Sequence, residues 1–153
     1  MTDRISNSLV GIAGVHYVVS ELSRRGMVAL PTVRNVAAYD ILVANVLGTR
    51  HANVQVKASL RPVSFWPMPA HDKVRAGPKD FYVLVRWLPK KEEFEGYMLS
   101  GRQAREEVLN EHKRQAKRIK KAARGVFFPA LWIGPRSEGR DRRWLKKWKE
   151  WEL

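Results

Sequence analysis

Three polar side chains interrupt a largely apolar segment, residues 39–60. Asp40 opens the first of its two apolar runs, and Gln55 and Lys57 stand two residues apart in the second. Because alternate side chains on a strand share a face, the amide and the lysine can meet a carboxylate from a neighbouring strand. The Asp40 carboxylate, the Gln55 amide oxygen and the Val56 backbone carbonyl suit Mg²⁺, which prefers oxygen ligands. Lys57 could orient or help to deprotonate a water and offset phosphate charge, so the set fits metal-assisted phosphodiester hydrolysis.

Spacing alone leaves a structural interpretation of the same residues open. An aspartate near the start of a strand often serves a turn or a cap. A glutamine and a lysine two residues apart often line a solvated strand face. Other chemistries find less support, because the chain has no glycine-rich phosphate loop and no nucleophile elbow around a serine. The four histidines lack the close spacing of zinc ligands: His16, His51, His71 and His112.

A β-hairpin is expected to position these groups. The apolar runs 39–46 and 53–60 flank a polar turn, 47–52, that contains Gly48. In the first run both faces are apolar except at Asp40, which predicts a central strand covered on both sides. Before the hairpin, Ser6 or Asn7 can cap a helix with Gly26 just past its end, and 27–30 predicts a short strand. The helix has one apolar face: Leu9, Ile12, Val15, Val18, Val19 and Leu22.

The rest of the chain predicts a second half of the same sheet. Residues 61–78 contain four prolines and are expected to form a long loop. Strands are predicted over 80–87 and 94–99. A helix capped by Ser100 is predicted over 100–124. The apolar run that follows, 126–133, contains Pro129, which is tolerated in a sheet only at an edge or a bulge. A last helix over 141–151 would pack its tryptophans on the core, with base stacking as the alternative.

The order of these elements predicts one α/β domain over residues 1–153, with a mixed sheet of four to five strands flanked by helices. Its composition is that of a folded chain, since 44% of the residues are hydrophobic. No apolar run reaches the roughly 20 residues that a membrane span needs, and residues 1–8 lack the pattern of a signal peptide. The absence of cysteine excludes disulfides and thiolate chemistry and fits a cytoplasmic location.

Net charge indicates the class of partner. The chain carries 29 Lys and Arg against 15 Asp and Glu, a net charge of +14. Sixteen of the basic and seven of the acidic side chains lie within 101–153. Such a field attracts polyanions, and nucleic acid is the commonest of them. A basic surface that only maintains solubility is the alternative.

Residues 9–60 resemble the PD-(D/E)xK nuclease superfamily, which has the restriction-endonuclease-like fold. The matching stretches are G-I-A-G-V-H-Y-V-V-S-E-L-S-R-R-G, Y-D-I-L-V-A and V-Q-V-K-A-S. In that family a helix precedes a sheet whose second and third strands carry an aspartate and a Glu/Gln-x-Lys sequence. The resemblance implies that Asp40 is the metal aspartate, that Gln55 stands at the Glu/Gln position, and that Lys57 is the catalytic lysine. It also implies Mg²⁺ or Mn²⁺ as cofactor and a homodimer as a possible assembly.

The chain departs from the family pattern in the first helix. Many relatives carry a glutamate there that is directed at the metal, and this position is Val15. His16 is rotated from it by about 100° on a helix and is not an obvious replacement. The resemblance therefore predicts a metal-dependent DNA endonuclease, with a catalytically inactive nucleic-acid-binding or assembly module on the same fold as the alternative.

Basic side chains in the loops and in the 100–124 helix are the predicted nucleic-acid contacts, with DNA as the expected partner and RNA as a possible one. They would follow phosphates and make binding depend on salt. A solvated basic helix is the alternative interpretation. The predicted contacts are Arg34, Arg61, Lys73, Arg75, Lys113, Lys117, Arg118, Lys120 and Lys121.

Overall fold

The structure, a computed structural model, describes residues 5–33, 39–122 and 127–133. Its elements follow the predicted order of helix, strands, helix and a final strand. A 3₁₀ turn, His71–Lys73, lies between the fourth and fifth strands. In chain order the elements are α1 (Asn7–Ser23), β1 (Met27–Pro31), β2 (Ile41–Asn45), β3 (His51–Ser59), β4 (Phe65–Pro67), β5 (Asp80–Leu88), β6 (Glu93–Ser100), α2 (Gly101–Ala122) and β7 (Ala130–Trp132).

Five strands form the mixed sheet that the sequence predicted, in the order β1-β2-β3-β5-β6. Neighbours pair antiparallel except β3 and β5, which run parallel from Asn53 opposite Asp80 to Ser59 opposite Arg86. Parallel neighbours need a long crossover, and here it contains β4. β4 pairs antiparallel with β7 in a second, two-stranded sheet.

The two faces of the main sheet carry separate cores. On one face α1 packs over the sheet, with Val18 and Leu22 against Val54 of β3. On the other face α2 and the β4–β7 pair cover β5 and β6, with Ala104 and Leu131 in one cluster. β3 is the central strand of the sheet. Its side chains therefore point alternately to the face that α1 covers and to the opposite face.

The predicted hairpin is present. β2 and β3 pair from Ile41 opposite Val54 to Ala44 opposite His51. Gly48 has a φ of +67° in the connecting turn, a conformation that glycine adopts without steric cost. The paired part of β2 begins at Ile41, so Asp40 stands just before the strand instead of inside it.

The prediction that β2 is covered on both faces is wrong. Leu42, in the middle of the strand, is 46% exposed. The strand has a neighbour on each edge, but α2 and the second sheet lie over β5 and β6 and leave this end of the face open. An apolar run can therefore mark a strand with one covered face.

The apolar face of α1 is buried only in its C-terminal part. Ser6 caps the helix by accepting the Leu9 N–H, as the sequence predicted. Val18 and Leu22 are buried, whereas Leu9 and Ile12 are more than 40% exposed. The predicted apolar face is therefore buried in the second half of the helix and open to solvent in its first turns.

The predicted long loop over 61–78 contains regular structure. β4 and the 3₁₀ turn lie within it. Trp66, which lies within this segment, is 2% exposed, and its indole N–H donates to the Val85 carbonyl at 3.1 Å. β4 ends at Pro67, where the missing N–H of proline removes no further ladder bond.

α2 begins as the sequence predicted. Ser100 Oγ accepts from the Gln103 N–H at 3.2 Å, and Gln103 Oε1 accepts from the Ser100 N–H at 2.8 Å, which is a capping box. The apolar run 126–133 contributes β7, which follows Pro129. The predicted helix over 141–151 lies outside the described residues. No helix within the described ranges is long and apolar enough to cross a membrane.

Candidate functional site

Asp40 is fixed by its backbone and by its carboxylate. Its carbonyl accepts the Thr32 N–H at 2.9 Å, and its own N–H donates to the Val54 carbonyl at 2.9 Å. Its Oδ2 accepts the Val56 N–H at 2.7 Å. β2 pairs with β3 only as far as Val54, so the carboxylate takes the place that a further residue of β2 would occupy.

The same arrangement exposes an edge of β3 to the carboxylate. In an antiparallel ladder the N–H and C=O of one residue face the same neighbour. Because the Val56 N–H is directed at Asp40, the Val56 carbonyl lies on that side of the strand as well. Two oxygen donors predicted from the sequence, Asp40 and Val56, are thus brought together.

Asp40 and Val56 line a pocket of about 320 Å³ between α1, the end of β1 and the start of β2. From α1, Val15 faces this pocket. His16, expected to turn away from the site, lines the pocket too and is exposed. The remaining lining residues are Asn7, Ser8, Gly11, Ile12, Pro31, Thr32 and Val33.

Gln55 and Lys57 flank Val56 along β3. They stand opposite Tyr82 and Leu84 of β5, so they face away from α1 and do not line the pocket. Both side chains are partly buried, and neither forms a hydrogen bond or an ion pair with another described residue. The predicted alternation of β3 is correct, since Val54 and Val56 pack on the α1 side.

Tyr39, the residue before Asp40, is clamped by the 71–79 segment. The guanidinium of Arg75 lies 4.5 Å from the centroid of the Tyr39 ring and donates a hydrogen bond to its hydroxyl. Thr32 Oγ1 donates to the Tyr39 carbonyl at 2.7 Å. Arg75 Nε is in turn 4.0 Å from the buried carboxylate of Asp80. The side chain of Arg75, a predicted DNA contact, therefore also braces the backbone next to Asp40.

The carboxylate of Asp80 holds the 71–79 segment in place. This carboxylate accepts the Gly77 N–H at 2.9 Å and the Asn53 Nδ2 at 3.2 Å. Tyr82 accepts the Arg75 N–H at 3.0 Å, and burial raises the pKa of Tyr82, so its hydroxyl stays protonated. Sequence reasoning missed Tyr39 and Asp80; the available signal was an aromatic residue directly before the candidate aspartate.

The other predicted DNA contacts that the structure describes have exposed side chains. Arg61 follows β3, and Lys73 ends the 3₁₀ turn; both are exposed. α2 packs on the opposite face of the sheet from α1, so its basic side chains do not adjoin the pocket. Arg34 lies outside the described residues, and the side chain of Lys121 does as well. The exposed members on α2 are Lys113, Lys117, Arg118 and Lys120.

Comparison with known proteins bears on the fold. No family model and no curated protein matches the chain. Among solved structures, the chain is similar to a bacterial homing endonuclease, I-Ssp6803I, with a TM-score of 0.52 and 14% identity. The match covers 95% of this chain and 90% of that chain. The fold is nuclease-like. At this identity the likeness concerns the fold, and the more specific assignment to the PD-(D/E)xK superfamily stays a prediction.

The oxygen atoms of Asp40 and Val56 suit a hard metal cation, although they offer it little negative charge. No cluster of three or more His, Cys, Asp or Glu occurs among the described residues. Oδ2 of the Asp40 carboxylate accepts the Val56 N–H, and Oδ1 takes no part in that hydrogen bond. With the neutral Val56 carbonyl, the donors at the pocket match the oxygen preference of Mg²⁺ but provide a single negative charge, and the Gln55 side chain lies on the opposite face of β3.

Proposed function

We propose that this protein is a metal-dependent DNA endonuclease that hydrolyses phosphodiester bonds at the exposed edge of β3. The observation that carries the proposal is the hydrogen bond between the Asp40 carboxylate and the Val56 backbone. The nuclease-like fold, with a homing endonuclease as its solved neighbour, supports it. The net charge of +14 supports a polyanionic substrate.

The residues around this edge have separate tasks in the proposed reaction. Asp40 and the Val56 carbonyl would hold Mg²⁺ or Mn²⁺ at the edge of β3 beyond the end of β2, and Gln55 would reach this edge from the opposite face of the strand. The metal, when bound, supplies Lewis-acid stabilisation of the developing phosphate charge. Lys57, next but one to Gln55 on β3, would orient the attacking water and offset negative charge. Arg75 is one of the residues predicted to bind DNA. Its guanidinium contacts the ring of Tyr39, the residue before Asp40.

A cleavage assay with matched variants tests the proposal. Pure full-length protein is incubated with plasmid, branched and single-stranded DNA, with Mg²⁺, Mn²⁺ or a chelator. We expect metal-dependent cutting that falls about 100-fold or more in Lys57→Ala and in Asp40→Asn. Lys90→Ala and Asp72→Asn change exposed residues of the same types and should cut like the unmodified protein.

Asp40→Asn is informative because asparagine keeps a side-chain oxygen that can accept the Val56 N–H. The variant should therefore fold normally and lose the charge alone. Cutting that persists in Lys57→Ala would contradict the proposed mechanism. Light scattering on the same samples tests the predicted homodimer.

A catalytically silent DNA-binding module is the second candidate. The observation in its favour is that Val15 lines the pocket where the family pattern has a glutamate, which leaves Asp40 as the only carboxylate among the lining residues. Under this alternative neither metal supports cutting of any substrate, while DNA binding remains and weakens with salt. Comparing DNA with RNA of matched length in the same binding assay tests the identity of the polymer.

A further inference from the structure

The β4–β7 pair turns aromatic rings towards solvent. Trp66 and Leu131 stand opposite each other and point into the core. Phe65 and Trp132 stand opposite each other at the next position and point outwards, with ring centroids 4.8 Å apart and an interplanar angle of 29°. Phe128 adds a third ring, 5.9 Å from that of Phe65. We name Phe65, Phe128 and Trp132 the aromatic row.

The aromatic row is not needed to fill the core. Trp132 is 46% and Phe128 is 47% exposed, while the inward residues of the same strands supply the buried contacts. Exposed aromatic surface of this kind often marks a binding site. Phe65 and Trp132 are stacked on each other, so the ring faces open to a ligand are the outer ones, and such faces are the surfaces on which unpaired bases stack.

The segment that carries the row is firmly attached to α2. Gln115 donates from Nε2 to the Phe128 carbonyl and accepts the Phe128 N–H at Oε1, each at 2.8 Å. The preceding Phe127 stacks on His112 of α2, with centroids 4.4 Å apart and an interplanar angle of 5°. The row therefore needs little ordering when a ligand binds.

Basic side chains adjoin this attachment. Lys113 follows His112, about 100° further around the helix axis, and Lys120 comes to a similar angle two turns later. Both are exposed. Phosphates that follow the outer side of α2 would bring their bases towards the stacked rings, and the charge of the helix is complementary to such a polymer.

We infer that the aromatic row binds unpaired bases of single-stranded DNA, whose phosphates are held by the adjoining basic side of α2. Duplex DNA fits the row less well, because its base faces are covered by neighbouring bases. The choice of DNA rests on the proposed function. The binding itself does not, because the row lies on the face of the sheet away from the Asp40 pocket.

Binding measured in chelator tests the inference without cleavage. The ligands are a labelled 15-nucleotide oligo-dT, a duplex of equal length and an oligo-U. In the double variant Phe128→Ala/Trp132→Ala, we expect oligo-dT to bind about 10- to 100-fold more weakly, because bases lose the rings on which they stack. Binding to the duplex should change less than twofold.

Two further variants complete the test. Leu30→Ala/Leu42→Ala removes exposed apolar side chains elsewhere on the sheet and should leave oligo-dT binding unchanged. Trp132→Phe keeps a ring and should retain most of it, with folding followed by circular dichroism. Equal losses for oligo-dT and duplex, or no loss, would overturn the inference. So would tighter binding of oligo-U that depends on the row, or a change of oligomeric state in the alanine double variant.

If the cleavage assay finds no nuclease, the expected loss of oligo-dT binding still supports the row as a DNA-binding surface. If cleavage is found and oligo-dT binding does not depend on the row, only this inference fails. The two outcomes are therefore separable with the same protein preparations.

Discussion

Asp40 is held in place by contacts that its neighbours make before any substrate binds. Its carboxylate is bonded to the Val56 N–H, its carbonyl to Thr32, and Tyr39 beside it to Arg75. Preorganisation of this kind is worth most where small displacements of a reacting group lower the rate. The candidate carboxylate is therefore supported by a short chain of side chains that runs through Arg75 to the buried Asp80.

Arg75→Ala separates the two tasks that this residue can have. If Arg75 positions Asp40 through Tyr39, the variant should lower kcat of DNA cleavage roughly 10- to 100-fold with little change in KM. If it only contacts DNA, KM should rise while kcat stays constant. Steady-state kinetics of the variant distinguish these cases, and we expect the first.

Two related variants refine this result. Arg75→Lys keeps the charge but loses the planar stack on Tyr39, so it should restore little of the rate. Tyr39→Phe keeps the ring and loses the hydroxyl, so its rate should be intermediate. Arg102→Ala, a change to an exposed arginine at the start of α2, is the control.

Among the elements, α1 and β3 approach each other closely at Gly14. A Cβ added to Gly14 would lie 2.4 Å from Cβ of Ala58 and 3.5 Å from a methyl group of Val56. At Gly11, one turn earlier on the same helix, an added Cβ would meet no atom within 4 Å. At Gly14 the helix therefore lies close to the strand that carries the candidate site, and the absence of a side chain there permits this approach.

Gly14→Ala and Gly11→Ala form a matched pair. Gly14→Ala should lower the free energy of unfolding by about 1–3 kcal/mol, because the helix or the strand must shift to admit the methyl group. Gly11→Ala should raise it by about 0.5–1 kcal/mol, since alanine favours a helix more than glycine does. Urea unfolding of both variants measures the difference, and equal effects would show that α1 does not pack on β3 at Gly14.

The elements that the sequence predicted well are those encoded by local pattern. α1, the hairpin and the capped start of α2 follow from helical periodicity, from alternation around Gly48, and from the Ser100–Gln103 pair. β4 could not be predicted in this way, because its three residues acquire strand structure only by pairing with β7, more than 60 residues later in the chain. The exposure of Leu42 likewise depends on where distant elements end.

The candidate site shows the same division. Alternation along β3 predicted that Gln55 and Lys57 share a face, and the hairpin predicted that Asp40 comes beside this strand. The bond to Val56 and the clamp on Tyr39 could not be predicted, because they depend on a bend before β2 and on a segment 36 residues further along the chain. Contacts between loops that are distant along the chain produce no periodic sequence pattern from which they could be predicted.

The whole molecule presents two distinct surfaces on opposite faces of its sheet. The Asp40 pocket lies beside α1, whereas the exposed basic side chains of α2 and the aromatic row lie beyond the other core. A short straight duplex that contacts the Asp40 pocket therefore does not have to contact the aromatic row. The proposed reaction and the proposed stacking surface would act together on a substrate with both paired and unpaired segments.

The salt dependence of binding reports how α2 contributes. In Lys113→Ala/Lys117→Ala, the slope of log K against log salt for DNA should decrease in magnitude by about two, because each lost phosphate contact changes it by about one. Lys90→Ala/Lys91→Ala removes the same charge from the β5–β6 turn and should leave the slope unchanged. Fluorescence anisotropy titrations at several salt concentrations measure it, and identical slopes for both variants would exclude α2 as the phosphate-binding surface.

The contact of Gly14 with Ala58 also constrains which sequences can be relatives of this chain. In a homologue that keeps the same helix and strand, we expect selection to favour glycine at the first position and a small residue at the second, directly after the lysine of the Gln-x-Lys sequence. Natural variation should therefore be narrow at these two positions and wide at Gly11. A search pattern that joins the helix glycine to Gln-x-Lys and a following small residue would recognise distant members better than the three polar residues alone.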